Sequence, residues 1–137
     1  MFKLNVVVNW VMAKFVEMDE SNTLKDQMES QVTGPVILIN KFNVKSDEVE
    51  QFLKVWEEDA TKFKDQSGFI SAQLHKGIGK STVFINYAVW ESLKHFKNAV
   101  DKVMGPDPQS RLNNYPKNLV VSPHLFKKVS VPGICGD

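Results

Sequence analysis

The stretch Phe84-Ile85-Asn86-Tyr87-Ala88-Val89-Trp90-Glu91-Ser92 constrains the fold more than any other part of the chain. It reads as a strand with a carboxamide at its centre and a tryptophan at its exit, running directly into a helix start. Side chains alternate along a strand, so Phe84, Asn86, Ala88 and Trp90 share one face and Val83, Ile85, Tyr87 and Val89 the other. Neither set suits water, which predicts a central strand covered on both sides. A carboxamide buried there must find hydrogen-bond partners or remain costly. It is either a core asparagine tied to backbone or a group pointing into a ligand cavity.

The pattern around that strand is regular from Gly34 onward. Pro35 to Val44 reads as an apolar strand with Asn40 embedded in it. Ser46-Asp47-Glu48 suits a helix start with a side-chain cap and an acidic first turn. The helix then carries Val49, Phe52, Leu53, Trp56, Ala60 and Phe63 on one stripe. Phe69 to Lys76 is a second strand, Gly77 to Lys80 a hairpin turn, and Ser81 to Trp90 the third strand. A second helix shows Leu93, Phe96, Ala99, Val100 and Val103 on its stripe before Gly105-Pro106 ends it. A short helical piece is expected over Gln109 to Asn114, then a last strand from Leu119 to Val129, interrupted near Pro123. The order strand, helix, strand, strand, helix, strand is the split β-α-β layout of α+β ferredoxin-like domains. There the first and third strands are central and both helices cover one face of an antiparallel sheet.

The flanks read differently. Residues 1–33 are expected to form a poorly packed or flexible N-terminal extension, 34–129 the domain and 130–137 a tail. The extension mixes helical spacing (Leu4, Val7, Val11, Phe15) with a strand-prone Val6-Val7-Val8 run. It lacks the grammar of a secretory signal and is too short to span a bilayer. It is therefore expected to be dispensable, with Met28 a possible natural start. At 137 residues the chain can bury one core without staples. A net charge of +1 without a basic cluster gives no case for nucleic acid, and no membrane partner is expected. Cys135, the single cysteine, excludes internal disulfides and fits a reducing, cytoplasmic setting. His75, His95 and His124 show no metal-ligand spacing, so neither a metal nor another cofactor is expected.

A hairpin centred between Ile78 and Gly79 would place Gln73 opposite Phe84 and Ser71 opposite Asn86. One sheet face would then carry Phe69, Ser71, Gln73, His75, Phe84, Asn86, Ala88 and Trp90. Aromatic walls with uncharged hydrogen-bonding groups are the chemistry of a small-molecule site, though a core of mutually satisfied amides would read the same. The opposite face would be aliphatic, with Ile37, Ile39, Ile70, Ala72, Leu74, Ile85 and Val89. Two helices cover only one side, so an uncovered apolar face implies self-association.

Asn40, Gly68-Phe69-Ile70-Ser71-Ala72-Gln73-Leu74-His75 and Phe84-x-Asn86-x-Ala88-x-Trp90-Glu91-Ser92 resemble, in order and spacing, the antibiotic biosynthesis monooxygenase domain. The resemblance spans roughly Gly34 to Val103 and implies a homodimeric α+β barrel. Some members oxidise quinol- or anthrone-like aromatics with O2 and no metal or flavin. The resemblance implies Asn40, Asn86 and Trp90 as catalytic residues that orient the substrate and stabilise an oxyanion. Phe42, Trp56, Phe69, Ser71, Gln73 and Phe84 would bind the substrate. Other members degrade haem with a histidine ligand on the second helix. His95 lies only five residues after Trp90, out of place for that ligand, which disfavours haem degradation. The rival from another class is a non-catalytic dimeric barrel that binds a small metabolite.

Overall fold

The computed structural model describes residues 13–107 and 112–136. Its elements are β1 (Lys14–Phe15), α1 (Leu24–Met28), β2 (Val36–Asn43), a 3-10 turn (Ser46–Glu48) running into α2 (Val49–Lys64), β3 (Phe69–Lys76), β4 (Val83–Trp90), α3 (Leu93–Met104) and β5 (Val120–Phe126). The five strands form one sheet in the order β1-β5-β2-β4-β3. β2 and β4 are central and antiparallel, with Asn40 directly across from Asn86. This is an α+β, ferredoxin-like arrangement, with the added short strand β1 parallel to β5 at the edge. No helix among the described residues is long and apolar enough to cross a membrane.

The helices start and stop for local reasons. Ser92 caps α3, its hydroxyl accepting from the His95 N–H at 3.2 Å, and Gly105 follows its last turn at φ 73°. α2 instead enters through the 3-10 turn, and no side chain caps it. Its acidic first turn still complements the helix dipole.

The β3 register departs from the sequence reading. Lys76, not Gln73, lies opposite Phe84, and Leu74 lies opposite Asn86. Ser81 and Thr82 are drawn out of β4: Ser81 Oγ accepts from the Val83 N–H, and the Thr82 hydroxyl donates to the Val44 carbonyl at 2.5 Å. The loop is therefore longer than a tight turn, and the pairing slips by three positions. An odd slip moves every side chain to the other face. Ser71, Gln73 and His75 thus share the outer face with Ile85, Tyr87 and Val89, while Ala72 and Leu74 turn toward the helices. A bulge between Phe69 and Ser71 restores Phe69 to the Trp90 side and leaves Ile70 exposed.

The N-terminal stretch also differs from its expected loose packing in the part the structure describes. Ala13 is buried in the core around Phe52, and Leu24 and Met28 pack on the core around Trp90. Gln27 clamps the outer edge of β5. Its Nε2 donates to the Leu125 carbonyl at 2.8 Å and its Oε1 accepts from the Leu125 N–H at 3.0 Å. β1 satisfies the same edge one stretch earlier, through Val16 N–H to the Val121 carbonyl. Pro123 lies between these positions, so its missing N–H falls on the edge and removes no bond to β2. That is why β5 runs unbroken where an interruption was expected. The apolar residues at positions 4, 7, 10 and 11, and the first half (109–111) of the helical piece expected over 109–114, lie outside the described residues; 112–114 form only a turn. In the tail, Val131 pairs with Cys135 in an isolated bridge, with Cys135 exposed.

Candidate active site

Both long helices lie on the sheet face that carries Asn40, Asn86 and Trp90. Small side chains face one another there: Ala72 pairs with Ala88 across β3 and β4, and α2 presents Ala60. Larger residues pack to either side in two core clusters, one around Phe52 and one around Trp90. Between them lies a cavity of about 200 Å³. Its strand wall includes Leu38, Asn40, Phe42, Phe69, Asn86 and Trp90, and its helix wall includes Trp56, Asp59, Phe63 and Phe96.

The polar atoms in this wall are unusual. Asn40 Oδ1, Asn86 Oδ1 and Trp90 Nε1 are all buried and have no hydrogen-bond partner among the described residues. Leaving a buried donor or acceptor unpaired costs about 1–3 kcal/mol each. Three such atoms on residues of one cavity wall make it a candidate site. Trp90 is held rigidly, 2% exposed, with the rings of Phe69, Phe96 and Phe63 edge-on at 5.4, 5.9 and 6.2 Å.

Sequence reasoning missed one polar pair in this wall. Tyr115 donates its phenolic hydrogen to Asp59 Oδ2 at 2.9 Å, and both residues line the cavity. Burial pushes the Asp59 carboxyl above the usual carboxylate range, against the Tyr115 hydrogen bond and Lys62. Burial, reinforced by Asp59, pushes the Tyr115 phenol far up. The only sequence signal was an acidic residue on the helix face that also bears Trp56, Ala60 and Phe63.

The structure brings Asn40, Asn86, Trp90, Phe42, Trp56 and Phe69 together at the cavity. Phe84 instead fills the core, its ring 5.0 Å from Phe52. Ser71 and Gln73 do not reach the cavity, because the β3 register turns them outward; both are exposed. His75 is likewise exposed on that outer face. His95 lies outside the cavity wall. Its Nδ1 is 2.7 Å from Ser92 Oγ, and its ring packs so closely on Gly68 that a Cβ there would sit 2.2 Å away. His95 is occupied as part of the helix start.

Residues 35–102 match the family model for antibiotic biosynthesis monooxygenases. The domain belongs to that family. Solved structures agree on the fold. A candidate monooxygenase of Shewanella loihica is similar at 28% identity and a TM-score of 0.59, covering 73% of this chain and 99% of its own. SnoaB of Streptomyces nogalater, a cofactor-independent oxygenase, is similar at 22% identity and a TM-score of 0.58, covering 74% of this chain and 99% of its own. The heme-degrading protein Rv3592 of Mycobacterium tuberculosis is similar at 21% identity and a TM-score of 0.50, covering 72% and 99%. Among curated proteins, none matches. The fold is thus shared with a protein described as a cofactor-independent oxygenase and with one described as heme-degrading.

Proposed function

We propose that the protein is a cofactor-independent monooxygenase that oxidises a flat aromatic of the quinol or anthrone type with O2. The observation that carries this reading is the trio of unpartnered atoms, Asn40 Oδ1, Asn86 Oδ1 and Trp90 Nε1, on residues that line one largely aromatic cavity. Aromatic walls take the rings, and the amides and the indole N–H fix the oxygen substituents. Trp90 Nε1–H and the asparagine Nδ2 groups would donate to the oxyanion formed when the substrate loses a proton, while the two Oδ1 atoms would accept from a substrate hydroxyl. The electron-rich anion then reduces O2 itself. For an anthrone, the ring CH2 becomes C=O, one oxygen atom enters the product and the other leaves as water. Similarity to a cofactor-independent oxygenase supports the reading at the level of fold.

The test is oxygen uptake with a panel of anthrones and hydroquinones. Turnover by the natural chain, cut at least ten-fold in Asn86→Ala, is the expected result. Turnover unchanged in Asn86→Ala would remove the assigned mechanism.

The assembly we propose is a homodimer through the outer sheet face. Ile85 and Tyr87 are 39% and 40% exposed there, beside Phe126 at 37%, an apolar patch that a second copy would cover. Sedimentation at micromolar concentration should show a dimer, and a stable folded monomer would refute it. Haem chemistry is disfavoured on this chain by the engagement of His95 with Ser92.

A further inference from the structure

Asp59 projects from α2 into an aromatic cavity where an apolar residue would pack better. Tyr115 donates to its Oδ2 at 2.9 Å and fixes the plane of the carboxylate. Oδ1 takes no hydrogen bond from any described residue. The carboxyl belongs to the cavity wall, and no salt bridge holds it among the described residues. A half-buried carboxylate with one oxygen tied down and the other free is a poor structural choice. It is a good hydrogen-bond acceptor for something that enters.

On the strand side, Trp90 Nε1–H is a buried donor without a partner among the described residues. The wall therefore offers an open acceptor on the helix side. We propose that Asp59 Oδ1, positioned by Tyr115, accepts a hydrogen bond from a ligand hydroxyl, so that the cavity selects hydroxylated aromatics over their ether or unsubstituted counterparts. The idea rests on the aromatic-substrate reading above and adds the specificity residue for it. If the proton moves completely, the ligand O–H bond breaks, an O–H bond forms at Oδ1 and the ligand remains as a phenolate. No electron is added or removed in that step.

The groups facing Asp59 are Tyr115 from the segment before β5 and, on its own helix, Glu58 and Lys62. The strands opposite contribute the uncharged Asn40 and Asn86. Burial raises the Asp59 carboxyl above its usual range. Hydroxyl preference should therefore be present where Asp59 is ionised and fade as the pH falls through its raised pKa.

Calorimetric binding of 1-naphthol and 1-methoxynaphthalene to the full chain tests this. The two probes differ by the donor alone. A hydrogen bond to a charged group contributes about 1.5–3 kcal/mol, so the natural protein should prefer 1-naphthol by at least about ten-fold at pH 7. Asp59→Asn should cut the preference below about three-fold without loss of methoxynaphthalene binding. In the natural protein, acidification should weaken 1-naphthol alone, a check that does not depend on any variant folding. Equal affinity of the two probes at pH 7, or a preference that survives both Asp59→Asn and acid, would overturn the proposal while leaving an aromatic-binding cavity intact. Preference lost in Asp59→Asn without oxygen uptake on any anthrone would uphold it and refute the oxygenase reading. Failure of both probes to bind would refute both.

Discussion

Replacing Gln27 with alanine should destabilise the fold far more than its polar, exposed-looking sequence surroundings suggest. The side chain satisfies both backbone groups of Leu125, as donor at 2.8 Å and acceptor at 3.0 Å. The Leu125 side chain is buried in the core around Trp90. A typical intramolecular hydrogen bond contributes about 0.5–1.5 kcal/mol net, so losing two costs about 1–3 kcal/mol. Loosening of Leu24 and Met28, which pack on the same core, would add to this. For a chain of this size the midpoint should fall by roughly 5–10 °C. Gln27→Glu separates the two bonds, because a carboxylate still accepts from the Leu125 N–H but cannot donate to its carbonyl. It should lie between the natural chain and Gln27→Ala. Thermal unfolding followed by circular dichroism measures all three. Identical midpoints would show that water replaces the clamp at no cost, and that residues 13–33 are as dispensable as their sequence implies.

Other perturbations probe the site and its supports. Ala88→Phe places a ring where Ala88 faces Ala72 at the cavity floor; probe binding by calorimetry should vanish while the circular dichroism spectrum stays native. Gly68→Ala should cost more than about 1 kcal/mol, because Gly68 sits at φ 88° and a Cβ would strike the His95 ring at 2.2 Å; urea unfolding would read this directly. Asp59→Asn should raise stability at pH 7. The folded-state pKa of Asp59 is raised, so its protonation favours the folded state, fully below the unfolded value near 3.9 and lost as the pH rises through the folded value. The advantage of the asparagine variant should therefore shrink on acidification toward pH 4, as followed by urea unfolding at both pH values.

The central strand was legible because its signal is long and local. Eight consecutive positions, all apolar or aromatic but for Asn86, read as one buried strand, and alternation alone assigned Phe84, Asn86, Ala88 and Trp90 to one face. The order of elements followed from the same kind of signal, as did the resemblance to the monooxygenase family. The faces of β3 were not legible, because two non-local facts decide them. Ser81 and Thr82 leave the strand to bond a serine-turn amide and the distant Val44 carbonyl, and the bulge at Ile70 reverses parity once more. Ser71 and Gln73 were assigned to the site on the wrong side of that slip. Asp59 was hidden because it follows Glu57 and Glu58, where another acidic residue reads as a solvated helix face, and its partner Tyr115 lies 56 residues away. Gln27 was hidden for a similar reason: one glutamine in a polar stretch carries no sign that it meets a strand edge 98 residues later.

The cavity at Asn40, Asn86 and Trp90 is proposed to perform oxygen chemistry on an aromatic. Oxygen uptake on dithranol, an anthrone, measured with an electrode in the presence of a metal chelator, tests it most directly. Uptake should saturate with dithranol, survive the chelator, yield the corresponding quinone with one water per O2, and fall at least ten-fold in Asn86→Ala. Uptake no faster than in buffer, by a protein that nevertheless binds the compound in this cavity, would contradict it and make the domain a binding protein.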